Sequence, residues 1–178
     1  MRSIVVYESM FGNTHEVAER IAANLEELGE VRVTATKKIT PAEVGDVQLL
    51  IVGGPTHLHG MTSKASRKSA AQTAEEDPTI DLDDEFGGPG LRGWIKDLPD
   101  GDGRFCAAFD TRAHKPEILT GSAARGIARR LRHHGYAELL EHESFTLDGN
   151  GPMTEAELQR AHDWGRALAK RCKALNIV

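Results

Sequence analysis

The chain has 178 residues, a formal net charge of -5, 39% hydrophobic and 28% charged residues. That length buries a sizeable core without disulfide or metal staples, and the composition excludes collagen-like, coiled-coil and wholly disordered chains. The negative balance gives no global attraction for a phosphate polymer, and no apolar run reaches the roughly 20 residues of a membrane span, so neither a nucleic-acid nor a membrane partner is expected. Two cysteines, Cys106 in an apolar run and Cys172 near the C-terminus, read as reduced thiols and predict a cytoplasmic protein. Oligomeric state is left open.

Residues 4–7, a β-branched and aromatic run, predict a strand buried on both faces. A helix follows, with Asn13 as cap, Glu16 as its capping-box partner, and Val17, Ile21, Leu25 and Leu28 on one face before Gly29 stops it. Residues 31–35 predict a second strand, Thr40-Pro41 starts a short helix, and residues 47–52 form a third strand closing on Gly53-Gly54-Pro55. Residues 61–90 break this alternation. They hold a basic cluster (Lys64, Arg67, Lys68), an alanine-rich stretch and the acidic run from Asp81 to Glu85, and read as an elaborated excursion, with room for one short helix, that can form a lid or partner surface.

Residues 91–98 predict a helix ending before Pro99, residues 104–109 a fourth strand, residues 122–134 a helix stopped by Gly135, and residues 139–147 contain a fifth strand. Thr154 caps the last helix with Glu157 as box partner, Met153 can staple to Leu158, and Leu158, Ala161, Gly165, Leu168 and Cys172 form its inner stripe. Trp94 and Trp164 fall in helices and are expected to be buried. Strands alternating with helices imply one doubly wound α/β domain over residues 1–178: a three-layer sandwich around a five-stranded parallel sheet.

The segment Ser9-Met10-Phe11-Gly12-Asn13-Thr14 joins the first strand directly to the first helix. A helix N-terminus leaves backbone N–H groups unpaired and carries partial positive charge, Gly12 allows close backbone approach, and Ser9 and Thr14 offer hydroxyls. The segment is built as a phosphate cradle. Unlike a Walker loop it holds no lysine, so it suits a phosphate held by neutral donors rather than a triphosphate with magnesium. The same residues also satisfy a plain strand-to-helix turn.

Tyr7-Glu8-Ser9-Met10-Phe11-Gly12-Asn13-Thr14 ahead of an amphipathic helix resembles the phosphate loop of flavodoxins. Ser9, Gly12 and Thr14 fit that family's pattern, whereas Phe11 stands where a hydroxyl is usual. Met10 and Phe11 look more like the flavodoxin-like domains of larger flavoenzymes. The run from Gly53 to Met61 resembles the loop lining one side of the flavin ring, and Asp110-Thr111-Arg112-Ala113-His114-Lys115 resembles the second flavin loop. The resemblance implies a flavodoxin-like strand order of 2-1-3-4-5, in which, as flavodoxins themselves illustrate, these loops share one mouth at the strands' C-terminal ends.

It further implies FMN as cofactor. Ser9, Met10, Phe11, Gly12, Asn13 and Thr14 would hold the phosphate, Pro55, Thr56, His57 and Gly60 one flavin edge, and Thr111, Arg112 and His114 the other. No side chain is expected to be catalytic in the acid–base sense. Neither flavin loop carries Tyr or Trp, so His57, Leu58, His59, Arg112 or His114 would cover the ring. Cationic Arg112 and His114 would favour an anionic reduced flavin and raise its potential.

Other patterns read blandly. Gly88-Pro89-Gly90-Leu91-Arg92-Gly93 matches a dinucleotide fingerprint but follows an acidic loop instead of a strand, and reads as a helix start. His57-x-His59 and His133-His134 lack ligand spacing, so no metal is expected. Cys106 reads as a small core residue, and Asp81 to Glu85 lacks the spacing of a calcium loop. Arg125, Arg129, Arg130 and Arg132 lie along one helix as a solvated face or a docking patch. Three functions stay open: an electron carrier serving a protein or small-molecule acceptor, an NAD(P)H-dependent quinone-type flavin reductase, and a flavin-free flavodoxin-fold binding module.

Overall fold

Along β1 (Arg2–Tyr7), Ile4 and Val6 join one hydrophobic core and Val5 and Tyr7 the other, all four buried. A strand covered on both faces is the mark of a parallel sheet between helical layers. In the computed structural model, which describes residues 1–57, 60–77, 81–148 and 151–177, β1 pairs in parallel with β2 (Glu30–Ala35) and β3 (Leu49–His57). β3 pairs antiparallel with the two-residue β4 (Gly60–Met61) and parallel with β5 (Phe105–Ala113). The far edge is β6 (Ala137–Glu138) followed by β7 (Glu143–Leu147), both parallel to β5. The path β2-β1-β3-β5-β6 is the 2-1-3-4-5 order of a doubly wound sheet, with β4 as an addition.

The helices are α1 (Asn13–Ala22), α2 (Lys64–Glu76), α3 (Gly90–Lys96), α4 (Glu117–Thr120), α5 (Ala123–His133) and α6 (Glu155–Ala174). α1 and α6 cover one face, where Ile21, Trp164 and Leu168 bury Val5, Ile51 and Phe109. Trp164, Phe109 and Phe145 meet edge to face with centroids 6.3 to 6.4 Å apart, the geometry their quadrupoles favour. α3 and α5 cover the other face, where Trp94, Ile127 and Leu131 bury Val6, Leu50 and Cys106. The Trp94 indole N–H donates to the Ile39 carbonyl at 2.8 Å, satisfying its one polar atom inside that core. Gly165 lets α6 close on α1, because a Cβ there would stand 2.5 Å from the Ile21 carbonyl oxygen. No helix among the described residues is long and apolar enough to cross a membrane.

Three local expectations change. The N-cap of α1 is Gly12, and no side chain caps the helix. Asn13 is already helical, and its amide instead ties down a distant segment, donating to the Gly151 carbonyl and accepting from the Met153 N–H at 2.8 Å. The Gly-Gly-Pro and Asp-Thr-Arg segments, expected as loops, are extended strand: Gly53, Gly54 and Pro55 pair with Phe109, Asp110 and Thr111. The fifth strand is interrupted, since residues 139–142 stand opposite only Ala107 and Ala108 of β5. An inserted pair of this kind bulges an edge strand without flipping its faces. Within residues 61–90 the helix is α2, β4 is an addition, and Pro89 caps α3 at the helix start read in the sequence.

Candidate functional site

β1, β3 and β5 all end at the same edge of the sheet, and there the three segments singled out in the sequence enclose a cavity of about 220 Å³. Ser9, Met10, Phe11, Asn13 and Thr14 line it from the β1–α1 turn, Pro55, Thr56 and His57 from β3, and Thr111, Arg112 and Ala113 from β5. Leu147, the last residue of β7, completes the wall. Sequence reasoning missed Ala113 and Leu147, which carry no chemical motif. Their only sign was position at a strand end. Leu58 and His59 lie outside the described residues.

Three expected contributors stand differently. Gly12 holds φ at +89°, and its N–H donates to the Ser9 hydroxyl at 3.1 Å, folding the turn back on itself. Gly60 pairs with His57 in the β3–β4 hairpin, behind the lining. His114 faces a neighbouring cleft, where its Nδ1 lies 3.0 Å from the Thr146 hydroxyl.

Buried hydrogen bonds lock the three segments together. The Thr14 and Thr111 hydroxyls are 2.8 Å apart, joining the β1–α1 turn to β5. Asp110, fully buried, accepts through Oδ2 from the Thr56 hydroxyl, the Ser122 hydroxyl and the Ala124 N–H, all within 2.9 Å. The Thr56 hydroxyl in turn accepts from the Ala123 N–H at 2.7 Å. Its hydrogen is thus spent on Asp110, at the α5 N-terminus where a carboxylate is favoured. Arg112 donates through Nη1 to the Lys115 carbonyl at 2.6 Å and the Thr120 hydroxyl at 3.3 Å, while its Nε is buried without a partner.

Behind the turn, the excursion is fastened to β1. Glu8, 4% exposed, accepts through Oε2 from the Thr62 hydroxyl at 2.6 Å and the Leu91 N–H at 2.8 Å, and Arg67 lies 3.7 Å from Oε1. Both ends of the excursion are thereby pinned to one carboxylate. The acidic run is also held: the Asp83 N–H donates to the Met10 carbonyl at 2.8 Å, and Lys37 and Lys38 pair with Glu85. His15 stacks on Tyr7 at 4.6 Å and stands 3.5 Å from Asp83. Burial, then the charges of Asp83, Glu85 and Glu19, pushes the Tyr7 phenol far above its ordinary range, so it stays protonated.

The flavodoxin family model matches residues 5–118. The chain belongs to the flavodoxin family. FMN is the cofactor of flavodoxins, and their role is FMN-type electron transfer. Similar solved structures include an archaeal flavodoxin, at 22% identity over 97% of this chain and 99% of that chain with a TM-score of 0.65. Flavodoxin 2 from Bacillus cereus matches at 19% identity over 96% of this chain and 99% of that one, with a TM-score of 0.68. The flavodiiron core from Synechocystis matches at 17% identity over 98% of this chain but 36% of that chain, with a TM-score of 0.63. At these identities the likeness is one of fold. No curated protein matches the chain.

The flavodoxin cavity in this chain suits FMN by its donor set. Among the described residues its lining holds neutral hydroxyls and a helix N-terminus but no lysine and no carboxylate, the requirements of a phosphate bound without a metal. The space where a Cβ of Gly12 would sit is open to 4 Å. The orphaned, buried Nε of Arg112 supplies an unused donor for an electron-rich ring.

Proposed function

We propose that residues 1–178 work as one flavodoxin-like unit that holds FMN in this cavity and passes electrons to a protein or small-molecule acceptor at its mouth. The observation that carries the reading is the convergence of the β1–α1 turn, β3 and β5 on one cavity. The Ser9 to Thr14 segment would take the phosphate, with the Ser9 and Thr14 hydroxyls and the first N–H groups of α1 as donors. Pro55, Thr56 and His57, backed by Gly60, would shape one side of the ring site, and Thr111 and Arg112 the other, with His114 in the adjoining cleft. Thr56 would act through its backbone, since its hydroxyl holds Asp110.

Bound FMN supplies reversible electron uptake and release. The chain supplies position and charge. Met10, Phe11, Pro55 and Leu147 make an apolar wall that keeps water from the ring site, and the Arg112 guanidinium sets a positive potential there. Asp110 and the paired Thr14 and Thr111 hydroxyls keep the segments from drifting apart. Both cysteines are free and buried, which suits a reducing cytoplasm.

The test is anaerobic stopped-flow. FMN-loaded protein reduced with dithionite is mixed with cytochrome c, a one-electron protein acceptor, or with benzoquinone, a small two-electron acceptor. Reoxidation of the bound cofactor by either in single turnovers is the expected result. A bound flavin that neither acceptor reoxidises overturns the electron-transfer part of the reading.

A further inference from the structure

The arginines along α5 are not alike. Arg125 pairs with Glu117 and Arg132 with Glu138. Between them, Arg129 and Arg130 form no ion pair among the described residues. Arg92 of α3 stands beside them. Its Nε donates to the Thr62 carbonyl at 2.7 Å and its Nη2 to the Met61 carbonyl at 2.6 Å, fixing the guanidinium against β4. Arg130 is anchored in the same way, with Nη1 donating to the Gly126 carbonyl at 3.1 Å.

A Cβ placed on Gly126 would lie 3.6 Å from Arg130 Nη1 and 3.7 Å from the Met61 methyl, so Arg130 reaches the surface beside Met61, whose carbonyl Arg92 holds. Burial, then the charges of Arg92 and Arg129, holds the Arg130 pKa below its ordinary value. Three cations gathered with no ion-pair partner among the described residues repel one another. Their carbonyl anchors keep two of them in place, leaving planar donor forks that match the oxygens of a phosphate group.

We propose that Arg92, Arg129 and Arg130 form a binding site for the phosphate group of a small soluble ligand, distinct from the Ser9 to Thr14 segment. The patch adjoins the cavity: a Cβ on Gly60 would lie 3.8 Å from Arg92 Nη2, and Gly60 pairs with His57, which lines the cavity. A nucleotide held by its phosphate here is one hairpin away from the FMN site. That consequence rests on the FMN reading, whereas the phosphate site itself does not. The phosphate has two sources, the free inorganic ion or a monoester on a nucleotide.

Nuclear magnetic resonance distinguishes them. FMN-saturated, isotope-labelled protein is titrated with inorganic phosphate and, separately, with a 2′-phosphorylated adenosine nucleotide. Shifts at Arg92, Arg129 and Arg130 with residues 9–14 unmoved are expected. Arg129→Glu, at an exposed position that leaves the core intact, should weaken binding by at least about tenfold. Tighter binding of the nucleotide assigns a nucleotide ligand, and equal binding assigns free phosphate. Arginine resonances that no probe moves, or shifts that survive Arg129→Glu unchanged, overturn the site. Should the protein take up no FMN, the same titration of the cofactor-free chain reads the arginines separately from residues 9–14, so the two readings fail independently.

Discussion

Gly12 sits at φ +89° as the cap of α1, with open space where a side chain would begin. Gly12→Ala therefore costs backbone strain alone, about 1 kcal/mol, read as a small drop in the denaturation midpoint. Thr14 has two duties, its bond to Thr111 and its place among the phosphate donors. Thr14→Val is expected to raise the FMN dissociation constant about tenfold or more, the worth of one hydrogen bond to a charged group, in a fluorescence-quenching titration. Arg112 lines the cavity, whereas His114 faces the neighbouring cleft. Arg112→Ala is thus expected to lower the flavin midpoint potential more than His114→Ala does. For a partly exposed cation the shift is on the order of 1 kcal/mol, or about 40 mV for a one-electron couple, in spectroelectrochemical titration.

At the scale of elements, Glu8 is the clasp of the excursion. Glu8→Ala strands the Thr62 hydroxyl, the Leu91 N–H and Arg67 in a buried site. It should cost about 2 to 4 kcal/mol in urea unfolding, with hydrogen exchange rising first in residues 60–77 and 81–91. The same elements explain what was legible in sequence. α1 and α6 carry apolar residues at helical spacing, β1, β3 and β5 carry apolar runs, and β2 alternates valine with polar residues, so their order followed directly. α2 buries only Ser66 and Ala70, so little apolar pattern that the sequence announced no more than one short helix where thirteen residues are helical. Gly53-Gly54-Pro55 looked like a turn because glycine and proline usually break strands, yet its pairing with β5 extends β3 to His57. Most residues that line the cavity were legible by loop position and family resemblance. Glu8 and Asp110 were not, because a buried carboxylate is identified by its partners, which come from distant segments.

For the whole molecule, burial raises several acids together. Burial, helped by Glu138 and opposed by Arg132, pushes the Cys106 thiol from its ordinary 9.0 up to about 12, and burial raises Cys172 and the Tyr7 phenol as well. Folding therefore favours the protonated forms. Their stabilising contribution is complete below the unfolded thiol's pKa of 9.0 and is lost as pH climbs toward about 12. The urea midpoint should fall as pH climbs from about 9 toward 12, and Cys106→Ala should make that fall shallower.

A doubly wound sheet gathers its strand ends at one edge, and in this chain that edge carries hydroxyls, a helix N-terminus and Arg112 around one cavity. The most direct test is a titration of the purified chain with FMN. Circular dichroism verifies the fold while absorption and flavin fluorescence follow binding. The account predicts one FMN per chain, with quenched fluorescence and a perturbed flavin spectrum. Folded protein that leaves the fluorescence and spectrum of free FMN unchanged would contradict it.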